Sequence, residues 1–193
     1  KELCQYLLDI PKNKKVLMFG AQNLSDPRKG GALLIRTLQR LPKSLKNEIT
    51  LLILGSTIPA PIKALEIDIV HLGYVESDRL KAIAYSAADL FVFPTQADNL
   101  PLVLQESMAC GTPMVSFDVG GVPDLVRPGL TGYLARAGDV DDLCNGVTQL
   151  LNDDTLRDDL SFQCREIAVK DYSLTHQAKK YIALYQDTLC TFT

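Results

Sequence analysis

Six short apolar runs alternate with longer stretches of helical period, and this alternation limits what the chain can fold into more than any other feature. The runs are Val16 to Phe19, Thr50 to Leu54, Asp68 to Leu72, Leu90 to Phe93, Pro113 to Phe117 and Gly132 to Ala135. A strand that is apolar on both faces must be covered on both faces, as happens in a parallel sheet with helices on either side. Gly31 to Leu41, Ser77 to Ala87 and Pro101 to Cys110 carry apolar residues at helical spacing with breakers at their ends, so they read as crossover helices. The expected fold is therefore α/β, a doubly wound parallel sheet of about six strands. After the last run come Val140 to Leu151, Asp154 to Val169 and Leu174 to Leu189, amphipathic and without intervening strands, which read as a C-terminal helical cap. No repeat, low-complexity segment or linker divides the chain, so residues 1–193 read as a single domain.

Composition removes several classes of function. A 193-residue chain that is 47% apolar and 22% charged can bury a full core without disulfide or metal staples. Its net charge of −3 and scattered basic residues argue against a nucleic-acid partner. The five cysteines are odd in number and lack C-x-x-C or zinc spacing, so they are expected to be buried thiols in a reducing compartment, and no metal site is expected. No apolar run reaches the ~18 residues of a membrane span, and the start lacks a signal-peptide core, so a cytoplasmic location is expected. The chain begins without methionine and in mid-pattern, which reads as a piece of a longer protein.

In open parallel sheets ligands bind beyond the carboxyl ends of the strands, so the loops after each run carry the candidates. The first, Gly20 to Gly31, ends at a helix start where free N–H groups favour an anion, and Arg28 and Lys29 add positive charge that a phosphate could neutralise. The same residues also fit a solvated basic pair at a turn. Its spacing is neither G-x-G-x-x-G nor a Walker A loop. The second loop, Thr95 to Pro101, leads into a helix framed by Asp98 and Glu106, two carboxylates suited to gripping sugar hydroxyls. Alternatively Asp98 or Asn99 caps that helix and Glu106 is a surface charge. The third, Asp118 to Asp124, holds the pair Gly120-Gly121 before a short helix; the pair marks either a tight turn or a close backbone approach. The fourth, Gly73-Tyr74-Val75, offers backbone against which a flat base could rest.

His71 and His176 are the only histidines and show no relay, and Ser107 lacks a nucleophile elbow, so hydrolase chemistry is set aside. The pairs Asp141-Asp142 and Asp153-Asp154 are expected to cap helices.

The run Asp98-Asn99-Leu100-Pro101-Leu102-Val103-Leu104-Gln105-Glu106-Ser107-Met108-Ala109-Cys110-Gly111-Thr112-Pro113, followed by Asp118-Val119-Gly120-Gly121-Val122-Pro123-Asp124, resembles the retaining glycosyltransferases of family four. That resemblance implies a GT-B architecture, two facing Rossmann-like domains, of which this chain is the C-terminal, donor-binding one without its N-terminal acceptor domain. It implies that Glu106 holds the ribose hydroxyls, that Asn99, Leu100, Pro101, Leu102 and Val103 contact sugar and diphosphate through their backbone, and that Gly73, Tyr74 and Val75 line the base, with Gly20 beside them. Lys29, with Arg28 assisting, would neutralise the leaving diphosphate, and Asp98 would accept from a hexose hydroxyl; these three are the expected catalytic residues. The family's usual pattern has glutamate at both ends of the motif, so Asp98 is a departure, one methylene shorter. A second departure is Ala21-Gln22, where many relatives carry an arginine.

The implied reaction is metal-independent transfer of a hexose-type sugar from a nucleoside diphosphate, of the UDP or GDP type, to a hydroxyl of a glycan or lipid acceptor, as in polysaccharide biosynthesis. No further cofactor is implied, and the longer protein is free to sit peripherally at the inner membrane face. Two rivals are carried: a nucleotide-sugar epimerase of the same architecture and a non-catalytic nucleotide-binding module.

Overall fold

A computed structural model describes residues 1–191 except Gln22, Leu24, Ser25, Thr57 and Pro59. Part of the first candidate loop, including Gln22 of the Ala21-Gln22 departure, thus lies outside the described residues. Six strands form one sheet in the order β3-β2-β1-β4-β5-β6, every pair parallel. They are β1 Lys15–Gly20, β2 Ile49–Leu54, β3 Asp68–His71, β4 Leu90–Phe93, β5 Met114–Phe117 and β6 Gly132–Ala135. The helices are α1 Glu2–Leu7, α2 Gly31–Arg40, α3 Lys43–Glu48, α4 Ala60–Lys63, α5 Asp78–Ala87, α6 Leu102–Ala109, α7 Val122–Leu125, α8 Val140–Asn152, α9 Asp154–Tyr172 and α10 Leu174–Thr191. Helices α1, α3 and α4 are too short for a periodic signal in the sequence.

The period-2 alternation of each strand separates two apolar layers. Leu17, Phe19, Leu51, Ile53, Leu90, Val92, Val115 and Phe117 face Leu34 and Leu38 of α2 and Leu143, Val147 and Leu150 of α8. Val16, Met18, Leu52, Phe91, Phe93 and Met114 face Ala84 and Tyr85 of α5, Leu104 and Met108 of α6, and Cys164 of α9. Each fully buried large apolar side chain contributes about 1.5–3 kcal/mol. A slip of one residue in a central strand would exchange its two faces, so the register is tightly specified.

Three expectations are corrected. The run from Asp68 to Leu72 is not covered throughout: β3 is an edge strand, exposed at both ends and half-buried between. The last three helices are not one cap, because α8 lies on the sheet beside α2 while α9 covers the far side through α6. The cap of α8 is not the Asp141-Asp142 pair but Asp139, which accepts from the N–H groups of both, whereas Asp153 of the second pair does cap α9, accepting from the N–H of Leu156. Asp142 is taken up instead by Tyr133 and Arg136.

Cys144 and Cys164 are buried as expected, Cys4 and Cys110 are half-buried, and Cys190 is exposed, because α10 packs along α9 at the margin of the body. Among the described residues no helix is long and apolar enough to cross a membrane.

Candidate donor site

The chain runs outward from β1 to β3 and then crosses back to place β4 on the other side of β1. That reversal leaves a crevice between the carboxyl ends of β1 and β4, where side chains from both halves of the sheet converge. The loop after β1 contains a 3-10 turn, Pro27–Lys29, capped by the side chain of Asp26. It is drawn onto the end of β4. A Cβ on Gly30, whose φ is 73°, would lie 1.7 Å from the Pro94 carbonyl oxygen, so only glycine permits the approach. Gln96 then stitches the two segments together: its backbone N–H donates to the Arg28 carbonyl at 2.8 Å and its side-chain amide to that of Pro27 at 2.7 Å. The buried Thr95 hydroxyl adds a 3.0 Å bond to the same Arg28 carbonyl.

The consequence is an ion pair across the crevice. Lys29 Nζ lies 2.6 Å from Asp98 Oδ2, with the two side chains 31% and 18% exposed. The ammonium also sits 5.4 Å from the centroid of the Phe93 ring. Arg28 behaves differently. Its guanidinium folds back onto Asp26 at 2.9 Å and is largely solvated, and this hydrogen bond holds the Asp26 carboxyl below the usual aspartate range. Arg28, Lys29, Asp98, Asn99 and Gly120 line an open cavity of about 440 Å³.

The Asp98-Asn99 backbone is fixed from the other side by the glycine pair. A Cβ on Gly120 would fall 2.1 Å from the Asp98 carbonyl oxygen and one on Gly121 1.7 Å from that of Asn99, while Gly121 N–H donates to Asp98 O at 3.1 Å. Both readings of this pair are realised: Val122 N–H donates to the Val119 carbonyl at 3.1 Å across a tight turn, and that turn lies directly against the Asp98-Asn99 backbone. Pro101 occupies the N-cap of α6 with no side-chain cap bond. The alternative in which Asp98 or Asn99 caps the helix is therefore not what the chain adopts; Leu104 N–H donates to the Pro101 carbonyl at 3.1 Å, and the N–H groups of Leu102 and Val103 at the start of α6 stay available.

A second cavity, of about 220 Å³, lies beside it and is lined by Gly20, Ala21, Leu54, Gly55, Tyr74, Val75, Lys81, Tyr85, Val103 and Glu106. Glu106 Oε2 accepts from the Tyr85 hydroxyl at 3.2 Å, and Lys81 Nζ lies 3.6 Å from Oε1. The Glu106 side chain is 37% exposed, half in the cavity wall rather than buried. Burial, and then the adjacent Glu106 charge, push the Tyr85 phenol well above its ordinary value, so it remains a donor. Lys81 is held protonated chiefly by its hydrogen bond with Asp78.

Most of the residues singled out in the sequence thus meet at one end of the sheet. Gly20, Tyr74, Val75, Val103 and Glu106 share the smaller cavity, and Arg28, Lys29, Asp98 and Asn99 the larger. The segment from Asn99 to Val103 runs from one to the other. Gly73, Leu100, Pro101 and Leu102 line neither; Gly73, with φ 71°, instead accepts from Gly55 N–H at 2.8 Å, while Leu100 and Leu102 are exposed.

Sequence reasoning missed Tyr85, Lys81 and Gln96. The first two stand four residues apart on α5, a spacing that puts both on one helix face and could have marked them. His71 bonds to the Gly55 carbonyl at 2.7 Å, a structural role. Among the described residues no group of three or more His, Cys, Asp or Glu side chains could hold a metal ion.

The sequence family described as "Glycosyl transferases group 1" matches residues 8–166. The chain belongs to the group 1 glycosyltransferases. A curated relative, phosphatidyl-myo-inositol mannosyltransferase of Mycobacterium leprae, is 30% identical over 178 residues, which is 90% of this chain and 46% of the relative. Sucrose-phosphate synthase from Thermosynechococcus elongatus superposes with a TM-score of 0.83 at 24% identity, over 99% of this chain and 49% of that one. Anabaena Alr3699/HepE, solved in complex with UDP and glucose, gives a TM-score of 0.77 at 22% identity over 96% of this chain and 51% of that one. Both structures share the GT-B fold type of this glycosyltransferase sheet. The chain spans about half the length of these proteins.

Proposed function

We propose that this chain is the C-terminal, donor-binding domain of a two-domain GT-B glycosyltransferase, and that it holds a nucleoside-diphosphate sugar for transfer of a hexose-type sugar to a hydroxyl acceptor. One observation carries the reading. Two adjoining cavities at the carboxyl ends of β1 and β4 present a carboxylate beside half-apolar walls in one and a cation in the other, joined by the uncapped start of α6.

The base and ribose fit the smaller cavity, with the base against Tyr74 and Val75 and the ribose hydroxyls donating to Glu106. Tyr85 and Lys81 orient that carboxylate. The diphosphate then lies along the first turn of α6, whose free N–H groups and dipole favour an anion. The sugar reaches Asp98. When the bond between the anomeric carbon and the diphosphate oxygen breaks, its electron pair passes to the diphosphate and positive charge develops on the sugar ring. The α6 N–H groups stand fixed to meet the first charge, and Lys29 joins them once the bound diphosphate has drawn it from Asp98. Arg28 assists by turning from Asp26.

Transfer with retention and without a metal, the acceptor glycan or lipid on an N-terminal domain, and a cytoplasmic setting complete the proposal. The known UDP complex of the Anabaena neighbour supports a uridine nucleotide as the first ligand to try.

Calorimetric titration with UDP, GDP and their hexose conjugates tests it. Glu106→Ala should weaken nucleotide binding about ten- to a hundredfold, the loss expected when a carboxylate accepting two hydroxyls is removed, with little change in melting temperature. Unchanged affinity in that variant would overturn the donor-site reading. So would sugar transfer by this chain alone, since the acceptor is assigned elsewhere.

A further inference from the structure

We infer that Asp98 makes this site discriminate between the intact sugar nucleotide and the free nucleoside diphosphate left after transfer. The inference rests on the functional reading above and concerns the relation of two groups already placed, Lys29 and Asp98.

The Lys29 ammonium is engaged, 2.6 Å from the Asp98 carboxylate. The other cation lining that cavity, Arg28, is engaged with Asp26. An incoming diphosphate therefore has to share Lys29 with a carboxylate or take it away. Either course sets like charges close together in a partly covered crevice, where they repel more strongly than in water. The Asp98 backbone is held in place, because it lies against the Gly120-Gly121 turn and Gln96, two residues before it, is tied to the 3-10 turn.

The intact donor and the free diphosphate meet this constraint differently. The donor carries a sugar whose hydroxyls donate to the carboxylate and replace the hydrogen bond that Lys29 withdraws. Its diphosphate is also esterified at both ends, so near neutral pH it carries one negative charge fewer than the free diphosphate. Once the sugar has left, the hydroxyls are gone and the extra charge is present, and Asp98 then acts against the ligand it had helped to hold. A repulsive group directed at the competitor is how a site built on one shared feature obtains specificity. Asp98 is thus a specificity-determining residue, favouring substrate over product at the same subsite.

The test is titration of the 193-residue chain and of Asp98→Asn with UDP, GDP, UDP-glucose and GDP-mannose. The amide keeps the shape and removes the charge. For whichever base binds, Asp98→Asn should hold the free diphosphate about tenfold tighter, and the ratio of conjugate to diphosphate affinity should fall by at least that factor. Asp98→Ser repeats the measurement should the amide variant lose stability. Weaker diphosphate binding in both neutral variants, or an unchanged ratio, would overturn the inference. The two failures separate cleanly. If the wild-type chain binds none of the four compounds, the nucleotide reading itself falls; if it binds and Glu106→Ala abolishes binding while the ratio ignores position 98, only the present inference falls.

Discussion

The two ends of the sheet are both rich in charge, yet they use it in opposite ways. At the amino ends of the strands, Asp89 sits just before β4 with its side chain 3% exposed and accepts from the Val16 N–H at 2.7 Å. Lys1 and Arg157 flank it as cations. Arg157 is itself buried and donates to the last carbonyls of α8, at 2.7 Å to Leu150 and 2.8 Å to Leu151, and Lys15 reaches Leu151 as well, at 2.7 Å. These cations satisfy carbonyls that a helix end leaves unpaired and oppose its dipole. At the carboxyl ends, by contrast, Lys29 pairs with Asp98, Lys81 with Asp78 and Glu106, and Glu106 with the Tyr85 hydroxyl, side chain to side chain beside open cavities. Charges locked to the backbone build the fold, and charges that hold only side chains beside a cavity are free to change partner. The difference lies in what the charge leans on, not in how much charge there is.

Asp89→Ala breaks the first end most severely. It strips the acceptor from a buried N–H and leaves the Arg157 guanidinium short of its carboxylate, a change expected to cost about 3–5 kcal/mol in urea unfolding. Lys29→Met at the other end should cost less than about 1 kcal/mol, since a partly exposed pair contributes little to stability. Equal losses at the two positions would remove the contrast. Gly121→Ala sharpens it from the side of the site. The added Cβ meets the Asn99 carbonyl, so the Asp98-Asn99 segment must shift; a stability loss of about 1–3 kcal/mol should accompany loss of the sugar's contribution to binding. Retained discrimination between sugar nucleotide and diphosphate in that variant would show that the segment is not held by this contact.

The smallest effect is expected at Thr50, near the amino end of β2, whose buried hydroxyl has no hydrogen-bond partner. Thr50→Val should raise stability by about 1 kcal/mol, because an unsatisfied polar atom is replaced by a methyl group. A destabilised variant would mean that the hydroxyl has a role in the core.

How much of this was legible in the sequence depends on how local each feature is. The six strands were readable because continuous apolarity leaves no other way to cover β1, β2, β4 and β5, and the position of the site followed from where those strands end. Asp98 and Glu106 were readable because they lie on one loop and the helix it feeds. The partners of both were not: Lys29 is separated from Asp98 by most of the first half of the chain, and Tyr85 meets Glu106 only because α5 and α6 pack side by side. The same holds for Asp89 and Arg157, whose meeting no periodicity announces. The cap of α9 was legible in Asp153, but that of α8 was placed two to three positions late, at Asp141-Asp142 instead of Asp139, because a helix boundary is fixed by backbone geometry rather than by the nearest acidic pair. The exposure of Cys190 depends on how α10 leaves the body, which an amphipathic pattern does not encode.

Gly30, Gly120 and Gly121 place the loops after three neighbouring strands, β1, β4 and β5, back to back, main chain on main chain, with no side chain between them as a cushion. Such loops are mechanically one part. Exchanging any one of them for the matching piece of a relative would import a curvature that the other two do not fit. Redesign of donor preference in this scaffold is therefore best confined to the groups that project from the interlocked loops, leaving their path untouched.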